Sequence, residues 1–91
     1  MLASEEYEKD QAEWIQNDGI QLGTRVLCAH KIDDFHGGWG GCWLQAMNCL
    51  VGKTGEVLSI GPKNFGIQVR FENHPYDEWF PFFALMKEKG E

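Results

Sequence analysis

The chain has 91 residues, 43% of them hydrophobic and 13% aromatic with four Trp, and a formal net charge of −6. That is one domain with room for a single modest core, too hydrophobic for wholesale disorder and without an apolar run long enough to span a membrane. The charge is uneven: residues 1–18 hold six acids against Lys9, while the remainder is nearly neutral, which argues against unassisted binding to nucleic acid and suits a partner with a basic surface.

Glu5 and Glu6 stand where a helix N-terminus favours acids, with Ser4 before them as a cap, so a helix is predicted over residues 5–17 and stopped by Asn17-Asp18-Gly19. Tyr7, Gln11, Trp14 and Ile15 share one side, a narrow stripe that needs something to pack on. The domain plan is therefore an acidic N-terminal helix over 1–18 and a β domain over 19–91. Residues 25–30 predict the first strand, with Val26 and Cys28 on one face. Residues 31–41 (KIDDFHGGWGG) form a polar, Gly-rich loop long enough to be functional. Trp39, Trp43, Met47 and Leu50 recur at helical spacing, so a short helical segment is expected before the second strand.

Gly52 and Gly55 bracket a sharp turn into Val57–Ile60, and Gly61-Pro62-Lys63-Asn64 is a dense turn signal. Phe65, Ile67, Val69 and Phe71 alternate with Gly66, Gln68 and Arg70, the period of a half-buried strand. After the His74-Pro75 loop, Trp79-Phe80-Pro81 predicts a short edge strand, since Pro cannot donate to a ladder. Residues 82–85 predict a tight helical turn, with a polar tail beyond it. The fold class expected is mainly β, a small SH3-like barrel with an N-terminal α-helix. On the alternation of neighbours, Trp79 and Phe83 are expected to fill the interior, with Phe80 and Phe82 pointing elsewhere under Tyr7 and Trp14.

Two resemblances rest on named residues. His36-Gly37-Gly38-Trp39, Met47, Leu50, Gly52-Lys53-x-Gly55-x-Val57, Ile60, Val69 and Trp79-Phe80-x-Phe82 resemble the SH3-like repeats of the Mind bomb ubiquitin-ligase family over roughly residues 23–87. That resemblance implies a non-catalytic barrel that recognises a protein segment. Ligase activity does not carry over, because the chain has no RING and no neighbouring repeat. A shorter stretch, Gly52-Lys53-x-Gly55-x-Val57-x-x-Ile60, is similar to the KOW motif of RNA-associated proteins.

Other chemistry finds little footing. Gly52-Lys53-Thr54 lacks the Gly that a phosphate-binding loop places five residues earlier, where Met47 stands. Cys28, His30, His36, Cys42, Cys49 and His74 lack the paired short spacings of a zinc site, and nothing sets a base beside a thiol. Asp33-Asp34 and Asp77-Glu78 point to opposite sides if extended. No cofactor, metal or catalysis is expected. The odd number of Cys and the lack of a leader-like start suggest free thiols in a reducing, cytoplasmic setting.

The functional reading places Trp39, Trp43, Trp79 and Phe80 around a groove, with Asp33, Asp34 and His36 on its rim, receiving a segment of a larger protein. Asp33, Asp34, Asp77 and Glu78 bias that groove toward cationic partners. The expected role is a small adaptor or inhibitor, similar in size and style to accessory, host-directed proteins of bacterial viruses. The alternatives are a KOW-like RNA-associated protein and a small-ligand pocket protein that assembles as a homo-oligomer.

Overall fold

The structure, a computed structural model, describes residues 3–33 and 36–88. The helix α1 spans Ala3–Asp18, free of Gly and Pro and with Glu5 and Glu6 in its first turn. Ser4 lies within the helix instead of capping it. Gly19, at φ +65°, ends it, and the Ile20 amide donates to the Ile15 carbonyl at 2.9 Å, the wide closing bond of a helix finished by a left-handed glycine. The stripe read from the sequence is the face that docks: Tyr7 and Gln11 are buried, and Trp14 and Ile15 are half-buried against the core.

Among the described residues five antiparallel strands form one sheet: β1 Arg25–Cys28, β2 Thr54–Ile60, β3 Ile67–Phe71, β4 Glu78–Phe80 and β5 Leu85–Lys87, in the order β4-β3-β2-β1-β5. β4 and β5 each pair, among the described residues, on one side only, so the sheet is open. The long β1–β2 connection carries two short 3-10 helices, His36–Gly38 and Gln45–Leu50, in place of one helical segment. A third, Phe82–Ala84, turns β4 into β5.

Several boundaries move from their expected places. β1 ends at Cys28, two residues early. β5 replaces the expected polar tail, because the backbone of Leu85–Lys87 finds a partner in β1 (Leu27 opposite Met86) that its own short pattern does not announce. β3 begins at Ile67, leaving Phe65 on the preceding turn and half-exposed. Gly66 is the reason: it sits at φ +102°, and a side chain there would collide with the Phe80 carbonyl.

The interior is built from Val26, Cys28, Val57, Ile67, Val69 and Phe71 of the sheet, closed over by Trp39, Met47 and Leu50 of the long connection and by Leu85. Register decides the aromatics of β4. Phe80 lies opposite Ile67 and Glu78 opposite Val69, both partners facing inward, so Trp79 faces outward opposite Gln68. The expected assignment is therefore reversed: Phe80 is the core residue, and Trp79 is half-buried on the outside. Phe82 and Phe83 sit together beneath α1, with the Tyr7 ring 5.2 Å and 6.0 Å from them and Trp14 5.9 Å from Phe82.

Candidate functional site: an aromatic pocket beside an edge strand

Three hydrogen bonds fasten the connection after β1 to the turn before β3. The Trp39 indole N–H donates to the Phe65 carbonyl at 2.8 Å, the Gly40 amide donates to the Asn64 carbonyl at 2.8 Å, and Asn64 Nδ2 donates to the Gly38 carbonyl at 2.8 Å. The chain can cross the indole of Trp39 because position 41 is glycine; a Cβ there would lie 2.6 Å from the ring. Further along, the Leu44 amide donates to the Met47 thioether at 3.2 Å, which turns the Leu44 side chain outward while Met47 is buried.

Between this connection and β4 lies an open pocket of about 280 Å³, lined by Trp39, Leu44, Met47, Phe65, Glu78 and Trp79 together with residues 40–42. Its surface is mostly apolar. Leu44 and Phe65 stand on its lip, each about half exposed (51% and 53%), and the Phe65 and Trp79 rings meet at 6.0 Å and 61°. The one carboxylate in this lining is Glu78, only 8% exposed because its register turns it inward. Its Oε2 lies 3.0 Å from His74 Nε2, and among the described residues the imidazole is its sole polar partner.

Of the residues nominated from the sequence, Trp39 and Trp79 are brought together in this pocket, Trp39 as a buried wall and Trp79 with part of its ring open. Phe80 is wholly buried, packed on Phe71 at 5.6 Å and on Trp43 at 5.7 Å, so it has no free surface to offer a ligand. Trp43 is half-buried on that ring, its indole donating to Asn48 Oδ1 at 2.7 Å, and it does not line the pocket. Asp33 is exposed and away from the lining. Asp34 and the His36 side chain lie outside the described residues. Asp77 does not line the pocket and is bonded by Arg70 Nε at 3.2 Å.

Sequence reasoning missed Leu44, Met47 and Phe65 as lining residues. Only Phe65 carried a readable signal, a glycine directly after it that interrupts the alternation. Of the cysteines, Cys28 is buried in the core, where desolvation pushes its thiol up to about 11, while Cys42, in the pocket lining, and Cys49 are exposed. Among the described residues no three His, Cys, Asp or Glu side chains gather as a metal site. Burial also raises the Tyr7 phenol well above its ordinary range, opposed in part by the Phe82 amide, which donates to its hydroxyl at 3.1 Å. Among the described residues no helix is long and apolar enough to cross a membrane.

Compared with protein-family models, with curated proteins and with solved structures, the chain has no significant match.

Proposed function

We propose that this chain is a non-catalytic protein-binding module of the SH3-like type, a small adaptor or inhibitor that docks on a larger protein through the pocket between the 39–47 connection and β4. The observation that carries this reading is the exposure of Leu44 and Phe65 beside the part-open Trp79 ring. Three large apolar groups stand at the mouth of a mostly apolar pocket, the arrangement in which interface anchors are found. Two further features favour it. The strand order β4-β3-β2-β1-β5, with a long connection after β1 and a 3-10 turn before β5, is the order an SH3-like meander follows. The residues resembling the Mind bomb repeats, His36 to Trp39, Met47, Leu50 and Trp79-Phe80, fall in the segments that build the pocket and its support. β4 is also an edge strand, so an extended segment has a ladder edge to lie along next to the pocket.

The test is affinity capture from nuclease-treated cytosol, read by mass spectrometry and native mass. A protein partner in fixed stoichiometry that survives the nuclease supports the docking reading. Material lost with RNA favours a KOW-like role, and an unaccompanied oligomer favours a small-ligand pocket protein.

A further inference from the structure

Resting on that docking reading, we infer that the pocket takes a cationic side chain, a lysine or arginine of the docked segment, drawn by the Glu78 carboxylate in its lining and by the aromatic rings at its mouth. A purely hydrophobic pocket needs no acid, and a carboxylate on a side chain only 10% exposed is costly unless its charge is met. Among the described residues the Glu78 carboxylate has one polar contact, from Oε2 to His74, and its other oxygen is not closed off in the interior. A carboxylate accepts at both oxygens, so capacity remains for a second donor arriving from the pocket. The remaining walls are suited to the rest of such a side chain. Leu44 offers apolar contact to a methylene stem, and the Trp79 and Phe65 rings present π-systems that attract a cation, indole most strongly. The pocket's volume of about 280 Å³ has room for one long side chain. An acidic side chain would meet Glu78 with like charge and be excluded.

Blocked tripeptides Gly-Lys-Gly, Gly-Arg-Gly, Gly-norleucine-Gly and Gly-Glu-Gly test this, titrated into the protein while the Trp79 indole resonance is followed by NMR. The Lys or Arg probe is expected to move that resonance saturably, at least tenfold more tightly than norleucine, with no effect from Glu. Glu78→Gln, which keeps shape and hydrogen bonding, is expected to weaken the cationic probe by at least tenfold while its amide spectrum stays folded. Should that variant fail to fold, Phe65→Ser at the lip is the second test and should weaken the cationic probe likewise. Equal binding of norleucine and lysine, or binding untouched by Glu78→Gln, overturns the cation and leaves the docking pocket standing. No response of Trp79 to any probe overturns both at this site.

Discussion

Trp39 joins the two ends of the pocket's frame, and its two roles are separable. Its ring is 1% exposed, and its N–H holds the Phe65 carbonyl. Trp39→Ala removes both and should cost about 3–5 kcal/mol, whereas Trp39→Phe keeps most of the packing and should cost about 1–2 kcal/mol for the orphaned carbonyl. Chemical denaturation of the two variants measures the difference. Cys28 gives a second residue-level prediction, with a sign fixed by burial. Its thiol stands at about 11 against an ordinary 9.0, so the unfolded chain releases this proton at lower pH than the folded one. The stabilising contribution is therefore complete below pH 9 and is lost as pH rises through 11. Tyr7, raised for the same reason, acts in the same direction at still higher pH. Melting temperatures are expected to fall across that window, less steeply in Cys28→Ala. In native protein near neutral pH, iodoacetamide should modify Cys42 and Cys49 and spare Cys28, as mass spectrometry will show.

At the scale of elements, α1 is the piece whose presence depends most on its neighbours. A sixteen-residue helix with one narrow apolar face has little stability alone in water. Here it is held by Tyr7 over Phe82 and Phe83, by Trp14 over Phe82, by Ile15 against the core, and by the bond to the Phe82 amide. A chain of residues 19–91 should lose about 3 kcal/mol or more from the apolar area uncovered, and it should bind a hydrophobic dye at the exposed Phe82–Phe83 pair. The excised peptide should show little helicity by circular dichroism. An unchanged melting temperature for the shortened chain would show that α1 is not part of the folded unit. This docking face was legible in the sequence because a period of 3.6 survives in one helix taken alone. The alternation of Ile67, Val69 and Phe71 was legible for the same kind of reason. β4 was legible as a strand but not in its facing. With three residues, two of them aromatic, its inward side is set by register against β3, which no local pattern records. β5 was invisible because the strand it pairs with, β1, lies more than fifty residues earlier in the chain.

For the whole molecule, the radius of gyration of 12.2 Å is that of a chain of this length folded into one body, about 12 Å. Within it the pocket lies at the β4 edge of the sheet, and the opposite edge, β5, carries its own exposed apolar residue, Met86. The sequence disclosed the types of residue that build the pocket, Trp39 and Trp79 among them, because glycines and aromatics crowd the 36–43 stretch. It did not disclose which rings remain open. That depends on the Trp39–Phe65 and Gly40–Asn64 bonds, which connect distant segments. The central claim, that this edge is where the protein docks, makes the two sides unequal. The most direct measurement compares the captured partner of the native chain with those of Phe65→Ser and Met86→Ser. Both positions are about half exposed, so neither change should disturb the fold. The account predicts that the partner is lost with Phe65→Ser and kept with Met86→Ser. A partner retained by Phe65→Ser, or lost equally with both, would contradict it.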